Sequence, residues 1–389
     1  MTKRSSVARR MQHIQPFYVM DLLARARDLE AQGRSIIHME IGEPDFVTPA
    51  PIIEAGHRAL SAGHTHYTPA LGLPALRQKI ADAYHSNYGV RIEASRVLVT
   101  PGSSGALQLV MSVLVNPGDA VLMADPGYPC NRHFVRLVEG EPISVPVGAK
   151  TGYQLTANLV EAAWTPRTKA VLVASPSNPT GTLLSVKALR EIHQVVQEKG
   201  GVLIVDEIYQ GLVYDGECCS ALSIADDVFV INSFSKFYGM TGWRLGWVVA
   251  PPEYVEPMDR LAQNIFLAAS TLSQHAALEA FSDEVSVILE ERRQEYMRRR
   301  DYLLPALQSL GFDVPVVPGG AFYLYARSNQ LTADSFEFAQ ALLNDAGVAV
   351  TPGRDFGSHR PEQHIRFAYT TSLANLKEGV ERIGHFLAH

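Results

Sequence analysis

Lys236 lies in NSFSKFYGMTGWR (232–244), directly after an apolar run and among small and aromatic residues. An amine taken out of water loses stabilisation of its charge, so its pKa falls and it becomes a nucleophile toward carbonyl carbon. Arg244, at the end of the same stretch, offers a planar fork suited to phosphate. A second cluster closes GGVLIVDEIYQG (200–211), where an apolar run ends in Asp206 and Glu207, followed by Tyr209. Carboxylates at the tip of a buried strand could hold magnesium beside ATP, a structural partner, or the ring nitrogen of an organic cofactor. A third stretch, TPGSSGAL (100–107), reads as a strand end, a small-residue turn and a helix opening, whose free amides and hydroxyls favour an anion. It is neither GxGxxG nor GxxxxGK[ST], which disfavours a dinucleotide loop and a P-loop, and the ATPase reading with them.

Elements must bring these groups together. Short β-branched runs recur at 96–100, 120–126, 170–176, 202–207, 228–233 and 245–251, separated by amphipathic stretches such as VKALREIHQVVQEKG (186–200), closed by Gly200 and Gly201. That alternation predicts an α/β fold with a mostly parallel sheet covered by helices on both faces. Ligands of such sheets gather beyond the carboxyl ends of the strands, where all three clusters fall. From about residue 285, VILEERRQEYMRRRDYLLPAL reads as one long helix with its arginines on a solvated face. GAFYLYA (320–326) reads as a further strand of a smaller α+β domain.

The chain of 389 residues exceeds what one core usually serves. Its net charge of −6 gives no electrostatic reason to expect nucleic acid, and 47% hydrophobic residues with 19% charged describe a soluble globular protein. Three cysteines, two of them adjacent at 218 and 219, cannot form a disulfide framework, so a reducing, cytoplasmic setting is expected. No apolar run reaches the roughly 20 residues of a membrane span, and the basic start MTKRSSVARRMQHIQPF is expected to be a solvated arm leading into a helix rather than a targeting signal. His64 and His66 form an HxH pair without accompanying carboxylates or cysteines, so no metal is expected and the pair reads as loop residues.

Taken in order, IGEPDF (41–46), HYTPALGLPALR (66–77), DPGYP (125–129), SNPTG (177–181), SFSKFYG (233–239) and HIRFAY (364–369) resemble the class I/II aminotransferases, pyridoxal-phosphate enzymes of the aspartate aminotransferase fold (fold type I). The resemblance covers nearly the whole chain. It implies a three-layer large domain with a mostly parallel seven-stranded sheet over 48–284. A smaller α+β domain would be formed by the terminal segments, 1–47 and 285–389. It implies that Lys236 attaches to the cofactor aldehyde and shuttles the substrate proton. Asp206 would pair with the ring nitrogen and keep it protonated, while Glu207 would point the other way and serve structure. Tyr209 and Asn178 would donate to the phenolic oxygen, and Tyr128 would stack on the ring. Ser103, Ser104, Ser233 and Arg244 would hold the phosphate, joined by Tyr67 from a neighbouring subunit, which implies a homodimer with shared sites. Arg366 would clamp the substrate carboxylate, helped by Asn178 and the backbone of Gly42.

The implied activity is ping-pong transamination between an L-amino acid and a 2-oxo acid such as 2-oxoglutarate or pyruvate. Tyrosine at 128, where many aspartate-specific relatives carry tryptophan, favours a neutral, aromatic or broad-range donor. A β-lyase or decarboxylase of the same fold would share Lys236, Asp206 and Arg244. A non-catalytic regulator, which would fuse a DNA reader to such a domain, has no room ahead of IGEPDF.

Overall fold

The computed structural model describes residues 7–14, 16 and 18–389; the first part of the basic start lies outside the described residues. The β-branched runs pair as expected. The strands in chain order are β1 (Ile37–His38), β2 (Val97–Thr100), β3 (Ala120–Asp125), β4 (Glu141–Pro146), β5 (Thr168–Ala174), β6 (Val202–Asp206), β7 (Phe229–Ser233), β8 (Gly246–Val249), β9 (Tyr323–Arg327), β10 (Val348–Ala349), β11 (Thr351–Pro352) and β12 (His364–Ala368). Among the described residues a seven-stranded sheet runs β2-β8-β7-β6-β5-β3-β4, with β8 antiparallel to both neighbours and the other pairs parallel. Its central strands are buried on both faces, which is why they read as continuous apolar runs rather than alternating ones.

One core cluster lies under the helices on one face of this sheet and contains Leu122, Val173, Val205 and Val230. Another, with Leu172, Ile204 and Ile231, packs the opposite face against Gly102–Leu114 and Pro252–Ile265. A third gathers Ile37, Met39, Leu303, Leu324 and Phe367 around the three-stranded antiparallel sheet β11-β12-β9. The N-terminal segment joins this third cluster because β1 pairs in parallel with β10.

Two features depart from the sequence reading. The edge strand β4 was not anticipated: it carries Pro142 and Pro146 and has a single buried position, Val145, the others being half-buried or exposed, so it lacks an apolar run, and proline is tolerated there because an edge leaves one row of amides unpaired. The long helix spans Asp283–Ser309, but its arginines are not all solvated. Arg299 is 4% exposed and donates to Asp45 Oδ1 (2.8 Å) and Glu295 Oε1 (3.0 Å). Arg300 is buried too, pairing with Asp215 and donating to the Pro318 carbonyl (3.0 Å). The helix starts in the large-sheet core, with Val285 and Leu289, and ends in the third cluster, with Leu303 and Leu307; Arg299 and Arg300 are enclosed as it enters the third cluster, while Arg298 stays solvated.

Candidate active site

Beyond the ends of β5 and β6 lies a cavity of about 170 Å³, walled by Gly42, Ser103, Ser104, Tyr128, Asn178, Asp206, Tyr209, Lys236 and Arg366. Residues up to 347 positions apart, Val19 and Arg366, thus meet where a twisted parallel sheet opens toward the smaller sheet. Val19, Met20, Ile41, Leu107 and Tyr323 complete much of the wall.

Lys236 Nζ donates to the Gly42 carbonyl (2.6 Å). Burial pulls its pKa down to about 8; Glu43 opposes that fall, and the Arg366 and Arg244 cations add to it. Asp206 moves the other way. Burial raises it to about 6 against the Ile208 amide, which donates to Oδ1 (3.1 Å), and against the Lys236 charge. A carboxylate so placed gains from a cation brought into the cavity. Its neighbour Glu207 points to the other face and accepts from the Ala221 amide (2.6 Å) and the Ser220 hydroxyl (3.1 Å). The Tyr209 hydroxyl bonds that of Tyr323 (2.8 Å), and burial holds the Tyr209 phenol well above its ordinary pKa.

Arg366 projects from β12 and is held on several sides. Nη1 donates to Asn178 Oδ1 (2.9 Å), Nη2 donates to the Glu40 carbonyl and to Thr351 Oγ1 (3.2 Å), and the guanidinium lies 4.3 Å from the Tyr323 ring and 4.7 Å from the Phe356 ring. A fork fixed in this way is ready to meet a carboxylate in bidentate fashion.

Ser103 and Ser104 stand in the first turn of Gly102–Leu114, where amides lack intrahelical partners. A side chain on Gly102, at φ +69°, would come 2.6 Å from Arg244 Nη2, so glycine is required for that guanidinium to approach the helix start. Arg244 itself holds φ +52°, a conformation that costs on the order of 1–3 kcal/mol away from glycine. Ser233 does not face the cavity. Its hydroxyl donates to the Leu245 carbonyl (3.1 Å) and shares a hydrogen bond with Ser235 Oγ (3.0 Å). Tyr67 also stands apart, 82% exposed. His64 stacks on His275 (4.1 Å), and among the described residues no group of His, Cys, Asp or Glu is arranged to hold a metal.

The sequence reading missed Tyr323, Phe356 and Thr351 around Arg366, and the apolar Val19 and Met20. Alternation along a strand puts Tyr323 and Tyr325 of GAFYLYA on one side, but nothing in the sequence ties that strand to Gly42. In the fold a side chain at Gly42 would collide with the Tyr323 hydroxyl, 1.9 Å away.

A sequence profile of aminotransferase class I and II matches residues 34–383. The chain is 40% identical over 384 residues, 98% of its own length and 99% of the relative's, to the (5-formylfuran-3-yl)methyl phosphate transaminase of Methanocaldococcus jannaschii. A crystal structure of an aminotransferase from Mycobacterium tuberculosis superposes with a TM-score of 0.95 at 36% identity, covering 98% of this chain and 99% of that one. Aspartate aminotransferase from Thermus thermophilus with maleate gives 0.93 at 34%, with the same coverage. With a half-buried lysine, a buried carboxylate and a fixed arginine around one cavity, the chain is a member of the class I and II aminotransferase family.

Proposed function

We propose that this aminotransferase uses pyridoxal 5'-phosphate and moves the amino group of a neutral, aromatic or broad range of L-amino acids to 2-oxoglutarate or pyruvate in two half-reactions. The observation that carries the reading is the convergence of Lys236, Asp206 and Arg366 on one cavity. The residues fit the group. Asp206, raised by burial, suits a protonated ring nitrogen, and the tight approach of Arg244 to the Gly102–Ser104 helix start suits a phosphate. When bound, pyridoxal phosphate supplies an electron sink for charge developing at the substrate Cα.

The protein's own groups do the rest. Lys236, with its pKa near 8, carries a proton to and from Cα; Tyr209 and Asn178 orient the ring substituents; Arg366 fixes the substrate carboxylate. Ser233 supports the phosphate site from behind, through Ser235 and Leu245. The apolar surface of Val19, Met20 and Ile41 beside Tyr128 supports a donor with an uncharged side chain.

The reading includes a homodimer in which Tyr67 reaches the partner's phosphate site. Its support is the exposure of a large aromatic, Tyr67, together with the exposed apolar side chains of Ile265 and Leu267. We also place the large domain at 48–284, with 1–47 and 285–389 forming the smaller one, supported by the pairing of β1 with β10. A cytoplasmic setting is supported by three free cysteines; among the described residues no helix is long and apolar enough to cross a membrane.

The test is direct. Holoprotein should show a visible band that borohydride fixes to the chain and that an amino acid discharges with release of its 2-oxo acid, whereas Lys236→Ala should lose the fixable band and at least about 1000-fold in turnover. Full turnover in Lys236→Ala would overturn the assignment.

A further inference from the structure

The segment Met39–Gly42 acts as a rail for the site, because each of its carbonyls is taken. Met39 O accepts the Ala368 amide (2.7 Å), Glu40 O accepts Arg366 Nη2 and Thr351 Oγ1 (2.8 Å), Ile41 O accepts Thr370 Oγ1 (2.9 Å), and Gly42 O accepts Lys236 Nζ (2.6 Å). Both the arginine and the lysine of the cavity therefore lean on one short stretch of backbone, whose own anchoring decides where they point.

That anchoring is ionic and lies behind the cavity. Glu40 is fully buried, and its Oε1 meets His38 Nδ1 at 2.7 Å, while among the described residues Oε2 has no partner. The other ring nitrogen of His38, Nε2, meets Glu30 Oε1 (3.1 Å) on the helix Tyr18–Ala31, whose first turn brings Val19 and Met20 to the cavity. The hydrogen bond to Glu40 raises the imidazole to about 9 against the opposing effect of burial, so His38 is a cation at neutral pH. A carboxylate with one charged partner cannot lose it cheaply, since the charge would remain buried and uncompensated.

We propose that His38 is a positioning residue for transamination: clamped between Glu30 and Glu40, it fixes the Met39–Gly42 rail so that the Glu40 carbonyl keeps Arg366 aimed at the substrate carboxylate. This rests on the reading of Arg366 as the carboxylate clamp. It follows that the harm of removing His38 comes from the charge left on Glu40, and that removing both charges relieves it.

The experiment compares holoprotein of wild type, His38→Gln and the double variant His38→Gln/Glu40→Gln. For each, KM and kcat are measured with the best amino donor, and the Kd of propionate, a carboxylate that cannot react, is read by ligand-observed NMR. His38→Gln should raise KM and the propionate Kd about tenfold with kcat within about twofold, and the double variant should return both toward wild type. Unchanged KM and Kd in His38→Gln would overturn the proposal, as would a fall in kcat alone or a double variant as impaired as the single. Should His38→Gln fail to fold, the double variant decides: wild-type propionate affinity supports the proposal and a lost affinity overturns it. If wild type binds no propionate, the clamp reading of Arg366 fails first, and the proposal with it.

Discussion

Asp206 and Glu207 are neighbours in sequence and opposites in use. Side chains alternate across a strand, so one carboxylate faces the cavity and the other faces Ser220 and Ala221. Burial lifts Glu207 to about 8, above its ordinary 4.5, although two donors oppose the rise. The sign of the linkage follows: between pH 4.5 and 8 the folded protein holds a proton that the unfolded chain has released, so stability falls as pH rises through this window. Glu207→Gln keeps an acceptor for both donors and removes the ionisation. Its stability relative to wild type should climb from pH 5 to pH 9, by at most about 5 kcal/mol, read as the difference in urea midpoint at each pH. A difference that stays flat across that range would show that Glu207 is charged throughout. The chemistry-bearing residues were legible because their types are unusual at strand ends: a lysine among aromatics, two carboxylates after four apolar residues. Tyr323 and Phe356 were not legible. Aromatics at these positions have an equally good account as core, and only the fold brings their faces to Arg366.

The elements were read from apolar runs, so the strands with two buried faces were found to within a residue or two, the usual looseness of element ends. Where an element earns its place otherwise, the pattern is silent. The edge strand β4 has prolines and exposed positions, and the buried Arg299 and Arg300 are indistinguishable in sequence from the solvated Arg298 beside them. Their partners, Asp45 and Asp215, lie far along the chain, and no helical periodicity reports that. The junction of β8 with the start of Gly102–Leu114 is another such case. A side chain on Gly246 would come 2.7 Å from both Gly102 C and Ser103 N, so strand and helix start touch through bare backbone. Gly246→Ala should push them apart, costing about 1–3 kcal/mol of stability and weakening pyridoxal phosphate at least about tenfold in an equilibrium titration. Gly148→Ala, where a new Cβ meets nothing within 4 Å, is the control. Cofactor affinity that survives Gly246→Ala would mean that the phosphate is not held at this junction.

At the scale of the whole molecule, the single chain leaves Tyr67 facing solvent on a segment that is otherwise well secured: Thr271 Oγ1 donates to the His66 carbonyl (2.7 Å), and Gln274 donates to Thr68 Oγ1 (3.0 Å). A large aromatic residue held out on a fixed loop fits a surface that a second copy covers. If Tyr67 serves the partner's site, two defective chains can repair each other. Lys236→Ala supplies an intact Tyr67 and Tyr67→Ala supplies an intact Lys236, so each hybrid dimer contains one complete site and one doubly broken site. Random reassociation of equal amounts makes half the dimers hybrid, and the mixture should recover about one quarter of wild-type activity over the residual of the parents. Were Tyr67 to act within its own chain, no hybrid would contain a complete site, and mixing would add nothing. The same mixture at concentrations low enough to dissociate the dimer should lose the recovered activity, because a site that borrows its phosphate contact from a neighbour exists only while the neighbour is bound.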